Sequence, residues 1–229
     1  MRFVSVEDHD GVLVLTIDRP PANAMDLALL EEITECVGGV ADAPPAALVL
    51  AGTPGVFSAG VDLKSAPTWD DEERRRMAAL ISSMAFAVYG LPCPVVAAVT
   101  GHAIAGGLVL ALCADFRVAS SEGRYGLTEV KVDIAFPRVA IGVVAAELSA
   151  GAARRLALGA ELCGAQECLR EGVFDELTAP DAVLARATGL AAQLGGYPAP
   201  TYAKTKRDLR GATIERLRLA AHEDGFALS

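Results

Sequence analysis

The chain has 229 residues, of which 52% are hydrophobic and 21% charged, and its formal net charge at pH 7 is -9. This size and composition predict a globular protein with a full hydrophobic core, either as one domain or as a body with a helical appendage. The acidic balance argues against nucleic acid as a partner, because a phosphate-binding surface needs an excess of Lys and Arg. We also expect no membrane span and no signal peptide, since the apolar runs are short or interrupted and the N-terminus carries acids.

Cysteines and histidines indicate the location and the metal content. The five cysteines lack Cys-x-x-Cys spacing and mostly lie among apolar residues, which predicts buried free thiols in a reducing cytoplasm. The three histidines lack the spacing of metal ligands, so we expect no metal. Basic clusters at residues 74–76 and 204–210 are more typical of solvated helix faces than of an anion site.

Local patterns predict the order of helices and strands. Asp26 is a candidate N-cap, and Asp70 precedes an acidic first turn that suits the positive end of a helix dipole. Gly38 and Gly39 are expected to end the first helix. The predicted elements are, in chain order, a strand at 11–18, a loop at 19–24, a helix after Asp26, a strand at 46–50, a helix from 70 to about 89, a strand at 94–99, a short helix through Cys113 and a strand at 115–119.

Repetition of strand, glycine turn and helix is typical of an α/β fold. From about residue 145 the sequence becomes rich in Ala and Leu, and strand signals disappear. We therefore divide the chain into an α/β core at residues 1–144 and a helical C-terminal region at 145–229. The break Gly195-Gly196-Tyr197-Pro198 precedes the last helices, which are expected to run from about Thr201 to His222.

Two small-residue segments each follow an apolar strand: Phe57-Ser58-Ala59-Gly60-Val61-Asp62 and Gly101-His102-Ala103-Ile104-Ala105-Gly106-Gly107. Glycine lets the backbone approach a ligand closely. Two unpaired N–H groups that converge on one carbonyl oxygen would stabilise an enolate formed there. Together the segments predict an oxyanion hole.

With these segments, Ala114-Asp115-Phe116-Arg117-Val118 and residues 165–176, the chain resembles the crotonase family, also called enoyl-CoA hydratase/isomerases, over nearly its whole length. The resemblance implies a spiral of β-β-α units with a C-terminal helical trimerisation region, and hence a homotrimer or a dimer of trimers. It implies acyl-CoA thioester substrates, with coenzyme A as part of the substrate and no separate cofactor. It assigns the oxyanion N–H groups to Val61 and Gly106, the latter at a helix start.

The resemblance also separates two reactions. Hydratases of this family use two glutamates, and their positions correspond to Val109 and Glu129 here, so only the second carboxylate is present. One base can carry a proton between two carbons of a substrate more easily than it can both activate water and deliver a proton. We therefore expect the shift of 3-enoyl-CoA to 2-trans-enoyl-CoA, as in the mitochondrial-type Δ3,Δ2-enoyl-CoA isomerases, which these segments resemble. Apolar neighbours predict a raised pKa for Glu129.

Two other functions stay open. One is a hydratase, or another crotonase-type acyl-CoA lyase or hydrolase, in which Glu129 works with an acid that the sequence does not identify. The other is a non-catalytic acyl-CoA binder that keeps the oxyanion hole. Asp133, Glu122 and Glu147 are alternative bases, and the side chain of His102 is expected to point away from the ligand.

The remaining substrate contacts are implied only by the resemblance. Core packing is the alternative for each acyl-tunnel candidate. The candidates are Pro21, Ala22 and Ala24 along the pantetheine path, Ala59, Asp62 and Leu63 at the adenine end, Lys64 near a phosphate, and Met84, Ile104, Ile134 and Phe136 in the acyl tunnel.

Overall fold

Pairs of strands, each pair followed by a helix, repeat along the chain. Both strands of the first pair join a large sheet, whereas in the next three pairs the first strand joins the large sheet and the second joins a small one. A computed structural model of the chain describes residues 1–64 and 68–223. The expected α/β class and the β-β-α repeat are confirmed.

The bounds of the elements are as follows. The strands are β1 (Val4–His9), β2 (Val12–Ile17), β3 (Ala47–Ala51), β4 (Gly55–Ser58), β5 (Val95–Val99), β6 (Gly101–Ile104), β7 (Phe116–Ser120), β8 (Tyr125–Gly126), β9 (Leu162–Cys163) and β10 (Glu176–Thr178). The helices are α1 (Leu27–Asp42), α2 (Asp71–Gly90), α3 (Gly106–Leu112), α4 (Arg138–Glu147), α5 (Ala150–Ala153), α6 (Ala165–Arg170), α7 (Val183–Gly195) and α8 (Ala199–Glu223). Short 3-10 turns cover Glu129–Val132 and Pro180–Ala182, and a π-helical turn covers Arg154–Leu158.

The large sheet has the order β1-β2-β3-β5-β7-β10, with an antiparallel β1–β2 pair and parallel pairs elsewhere. Every residue of β3 and β5 is buried, as expected for apolar strands covered on both faces. Helix α7 covers one face, and helices α1 to α4 enclose the main core on the other side. The small sheet has the order β4-β6-β8-β9, and its first three strands are parallel.

Helix starts follow the local sequence signals. Asp26 caps α1, where its side chain accepts a hydrogen bond from the N–H of Leu29 at 2.9 Å. Asp70 and Glu73 form a capping box at the start of α2. The prediction that Gly38 and Gly39 end α1 is wrong, because the helix continues to Asp42 and buries Val40 against the core.

Two expectations for the C-terminal region also need correction. Strands do occur there, since β9 extends the small sheet and β10 completes the large one. Each has only two or three residues, too few to produce a recognisable pattern. The division at residues 144 and 145, which lies within α4, stays a prediction.

The second basic cluster is not a fully solvated face, because Lys206 and Arg210 of α8 are buried. Lys206 Nζ lies 2.8 Å from Asp115 Oδ2, and Arg210 lies 3.2 Å from Asp115 Oδ1 and 3.4 Å from Glu147 Oε1. Burial lowers the pKa of Lys206, and the neighbouring Asp115 opposes this effect. We call Asp115, Glu147, Lys206 and Arg210 the α8 ion-pair network.

All five cysteines are buried and free, as predicted. Among the described residues, no helix is both long and apolar enough to cross a membrane.

Candidate active site

Three parallel strands of the small sheet end at one edge. Strand β4 leads into the turn that contains Val61, β6 into the turn that contains Gly106, and β8 into the segment that contains Glu129. Because parallel strands present their carboxyl ends on the same side, the structure brings the three predicted catalytic residues to the same edge.

The two glycine turns are in direct contact. Gly60 has a φ of +75°, and a Cβ there would lie 2.8 Å from the carbonyl oxygen of Ile104 and 2.9 Å from the nitrogen of Gly106. Only glycine allows this approach without displacing the backbone. Within residues 1–64 and 68–223, the N–H groups of Val61 and Gly106 have no acceptor in the protein. Both amides can therefore donate to a ligand.

Ala105 connects the second turn to the strand that precedes Glu129. It has a φ of +54°, and its N–H donates to the carbonyl of Gly126 at 2.8 Å. Its carbonyl accepts from the N–H groups of Leu108 and Val109 at 2.9 and 3.1 Å, which starts α3. The backbone of Gly106 is thus fixed relative to β8.

Glu129 is a buried carboxylic acid, with 7% of its surface exposed. Its Oε2 has no hydrogen-bond partner in the part of the chain that the structure describes. Burial raises the pKa of Glu129 to about 7, and a hydrogen bond with its own backbone opposes this effect. A carboxyl group with a pKa near neutrality suits general-base chemistry.

The other acids differ from Glu129 in their surroundings. Position 109 holds a valine that is 1% exposed. Glu147 is ion-paired with Arg117 at 3.3 Å and belongs to the α8 ion-pair network, whereas Asp133 and Glu122 are exposed. Of these three alternative bases, Asp133 is the one that lies in the wall of the cavity described next.

A cavity of about 630 Å³ lies beside the first oxyanion turn. Its wall is mostly apolar and includes Val61 and the acyl-tunnel candidate Ile134. Glu129, Gly106 and the candidates Met84, Ile104 and Phe136 are not part of this wall. Met84 is fully buried in the main core, and Phe136 packs against that core. The other wall residues are Leu63, Trp69, Arg74, Met77, Ala78, Ile81, Val132, Asp133, Ala135 and Pro137.

The α2 wall residues were not predicted. The apolar stripe of α2 is visible in the sequence, but which part of it faces a cavity depends on how α2 packs against other segments. The side chain of His102 is exposed, and its Nδ1 accepts a hydrogen bond from the N–H of Arg124 at 3.0 Å.

The predicted coenzyme A residues lie on two adjoining segments. Ala22 accepts a hydrogen bond from the N–H of Ala59 at 3.0 Å, while Asp62 forms an ion pair with Arg19 at 3.3 Å. Arg19 also lies 2.8 Å from Asp26, so it fixes the two segments together, a role that the sequence did not predict.

The candidates for coenzyme A contacts differ in exposure: Pro21, Leu63 and Lys64 are exposed, and Ala22, Ala24 and Ala59 are half-buried. Their contacts with substrate stay predictions.

Two other features lie away from this edge. A cavity of about 880 Å³ between α8, α4 and β7 is lined partly by the α8 ion-pair network. Glu161, Cys163 and Glu167 bring ligand-type atoms together, but Arg155 donates hydrogen bonds to both carboxylates. The ion pairs therefore satisfy these acids without a metal.

Comparison with known proteins gives consistent matches. The sequence model of the enoyl-CoA hydratase/isomerase family matches residues 7–224. The probable enoyl-CoA hydratase echA17 of Mycobacterium avium (strain 104) is 32% identical over 187 residues, covering 79% of this chain and 73% of that protein. A crotonyl-CoA hydratase of Syntrophomonas wolfei is 30% identical over 202 residues, covering 83% of this chain and 75% of that protein.

Solved structures agree with the sequence matches. The probable enoyl-CoA hydratase EchA3 of Mycobacterium tuberculosis superposes with a TM-score of 0.90 at 28% identity, over 96% of this chain and 93% of that chain. A second structure of the same protein, described as an apo enoyl-CoA isomerase, gives a TM-score of 0.89 at 28% identity, over 96% of each chain. The fold is thus the crotonase fold, and the chain belongs to the enoyl-CoA hydratase/isomerase family.

Proposed function

We propose that this protein isomerises 3-enoyl-CoA thioesters to 2-trans-enoyl-CoA. The observation that carries the proposal is the buried Glu129, with a pKa of about 7, at the sheet edge that also carries the N–H groups of Val61 and Gly106, which have no acceptor among the described residues. Valine at position 109 leaves the family's other glutamate position without an acid. The proposed chemistry needs one base and two hydrogen-bond donors.

The proposed reaction moves one proton. The Glu129 carboxylate takes a proton from C2, and the electrons of that C–H bond shift toward the thioester oxygen to form a dienolate. The N–H groups of Val61 and Gly106 donate hydrogen bonds to this oxygen and stabilise its charge. Glu129 then returns the proton to C4 while the thioester carbonyl reforms, which leaves the double bond between C2 and C3. Neither water nor a cofactor takes part in this reaction.

Hydration is the second candidate, because echA17 and EchA3 are named probable enoyl-CoA hydratases and the Syntrophomonas relative a crotonyl-CoA hydratase. EchA3 is described as a hydratase in one structure and as an isomerase in another, so the names of relatives do not decide between the reactions. A hydratase needs a group to activate water and a group to protonate carbon. Asp133 in the cavity wall is the acid that could assist Glu129 in that reaction.

An assay with two substrates separates these functions. The purified protein is incubated with 3-hexenoyl-CoA and, separately, with crotonyl-CoA, and products are followed by chromatography and mass spectrometry. We expect conversion of 3-hexenoyl-CoA to a conjugated product of unchanged mass. A dominant gain of one water by crotonyl-CoA would contradict the isomerase and favour the hydratase. Binding of both esters without turnover would instead indicate a non-catalytic binder.

Assembly and location complete the proposal. We propose a homotrimer or a dimer of trimers in the cytoplasm, by analogy with the family to which the chain belongs. Light scattering coupled to size-exclusion chromatography measures the assembly directly. A monomer at assay concentration would contradict this part of the proposal.

A further inference from the structure

Ser58 lies at the end of β4, beside the first oxyanion turn, and is fully buried. Its hydroxyl donates a hydrogen bond to the carbonyl of Asn23 at 2.7 Å and accepts one from the N–H of Gly60 at 3.1 Å. Gly60 directly precedes Val61, whose N–H is one of the two proposed oxyanion donors. The hydroxyl therefore fixes the backbone next to that donor.

Gly60 is held at both of its peptide groups. Ser58 accepts from its N–H, and its carbonyl accepts from the N–H of Met25 at 2.7 Å. Because a trans peptide is planar, the N–H of Val61 points opposite to the Gly60 carbonyl. Fixing both sides of Gly60 thus sets the direction of the Val61 N–H.

Ser58 also touches the second oxyanion turn. A Cβ on Gly107 would lie 2.3 Å from the carbonyl oxygen of Ser58 and 2.8 Å from its Cβ. The backbone of Ser58 therefore packs closely against the residue that follows Gly106. One residue contacts both turns, so its position bears on the spacing between their donors.

The acceptor of the Ser58 hydroxyl is itself rigid. Asn23 is 1% exposed and has a φ of +50°. Its Nδ2 lies 3.2 Å from the carbonyl oxygens of Val56 and Phe57, and its Oδ1 accepts from the N–H of Arg19 at 2.8 Å. Asn23, which forms one end of the series of contacts from Asn23 through Ser58 to Gly60, is therefore fixed by its own hydrogen bonds.

We propose that Ser58 is a positioning residue for the oxyanion hole: its hydroxyl fixes the Gly60–Val61 peptide so that the N–H groups of Val61 and Gly106 converge on one thioester oxygen. This inference rests on the proposed function, in which that oxygen becomes the dienolate oxygen. Removal of the hydroxyl leaves the buried N–H of Gly60 without its acceptor, which favours rotation of the turn. Catalysis then suffers more than binding, because the donors act most strongly in the transition state.

The test compares Ser58→Ala with Ser82→Ala. Ser82 is equally buried, and its hydroxyl has no partner among the described residues, so its loss removes no hydrogen bond. We expect Ser58→Ala to lower kcat with 3-hexenoyl-CoA by about 10- to 100-fold. The KM should stay within about threefold, and Ser82→Ala should behave as the wild type. Ser58→Cys, which keeps a weak donor and acceptor, should recover part of the loss.

A spectroscopic measurement tests the same inference without turnover. Raman difference spectra of bound 2,4-hexadienoyl-CoA report the thioester carbonyl stretch, which two well-placed N–H donors lower. We expect a smaller lowering in Ser58→Ala than in the wild type or Ser82→Ala. An unchanged carbonyl frequency and kcat in Ser58→Ala, or equal losses in Ser82→Ala, would overturn the inference. If Ser58→Ala does not fold, the comparison of Ser58→Cys with the wild type decides, since the inference requires both a lower kcat and a smaller carbonyl shift.

Different results would contradict the proposed isomerase function and the proposed positioning role of Ser58. A wild type that polarises the bound carbonyl but does not isomerise 3-hexenoyl-CoA contradicts the proposed function, and the spectra of Ser58→Ala still test the positioning role. A wild type that isomerises, together with a Ser58→Ala variant of equal kcat and carbonyl frequency, contradicts only the positioning role.

Discussion

Glu129 is an acidic side chain that is buried and is only partly hydrogen-bonded among the described residues. It is an acid that keeps only 7% of its surface exposed, and one of its carboxylate oxygens has no partner within residues 1–64 and 68–223. Burial without a compensating cation disfavours the charged form and raises the pKa to about 7. The group is then ionised in a substantial fraction at neutral pH and still basic enough to take a proton from carbon.

This pKa predicts the pH dependence of the proposed reaction. Only the ionised Glu129 can accept a proton, so kcat/KM for 3-hexenoyl-CoA should rise with pH and level off, with a midpoint near 7. Initial rates measured at subsaturating substrate across this range check the prediction. A midpoint near 4.5, the ordinary value, would contradict the buried environment of this group.

The same pKa predicts the sign of a stability effect. As pH rises from 4.5 toward 7, the unfolded chain releases the Glu129 proton first, so the free energy of unfolding falls in this window and the loss is complete above it. Glu129→Gln lacks this loss and should be more stable than the wild type at pH 8, by up to about 3 kcal/mol, but not at pH 4.5. Urea unfolding at both pH values measures the difference, and a less stable variant at pH 8 would contradict it.

At the scale of elements, the α8 ion-pair network attaches the last helix to the rest of the molecule. Arg210 donates to the carbonyls of Tyr89, Cys113 and Ala114 at 3.2, 3.1 and 2.9 Å, in addition to its ion pairs. Its guanidinium carbon also lies 4.0 Å from the centre of the Tyr89 ring. These contacts connect α8 with the end of α2, the end of α3 and the start of β7.

Removal of Arg210 should therefore be costly. Arg210→Met leaves the largely buried carboxylates of Asp115 and Glu147, whose side chains are 9% and 15% exposed, with fewer cationic partners, so we expect a loss of about 3–5 kcal/mol in the free energy of unfolding. Arg207→Met, at an exposed position on the same helix, should stay within about 0.5 kcal/mol of the wild type. Chemical denaturation of both variants makes the comparison, and equal stabilities would show that the network does not hold α8.

Local signals explain which elements the sequence predicted. The caps at Asp26 and Asp70, the strands β2, β3, β5 and β7 and the two glycine turns depend on neighbours in sequence, and each was located correctly. The burial of Lys206 and Arg210 depends on Asp115, which is distant along the chain, so the basic cluster looked like a solvated face. The same reason applies to the α2 wall of the cavity and to β9 and β10, whose partners lie elsewhere in the sequence.

At the scale of the whole molecule, the two predicted regions share their sheets. Strand β10 pairs with β7 in the large sheet, and β9 pairs with β8 in the small sheet. Strand β8 leads directly to Glu129, so the candidate site depends on residues from both regions. A fold built in this way should lose its sheets together.

We therefore expect thermal unfolding to show one transition at which the near- and far-ultraviolet circular dichroism change together. The physical reason is that neither sheet is complete without a strand from beyond residue 145. Calorimetry provides an independent check. Two separated transitions would contradict this expectation and would instead indicate that the regions at 1–144 and 145–229 fold independently.

The role of Glu129 is tested most directly by the kinetics of Glu129→Gln with 3-hexenoyl-CoA. Gln has nearly the same shape as Glu but cannot take a proton, so we expect kcat to fall by at least about 100-fold while the affinity for the acyl-CoA is kept. Glu122→Gln, at an exposed acid, should retain wild-type kinetics. Isomerisation by Glu129→Gln at a rate close to that of the wild type would contradict the proton shuttle and assign the base to another residue.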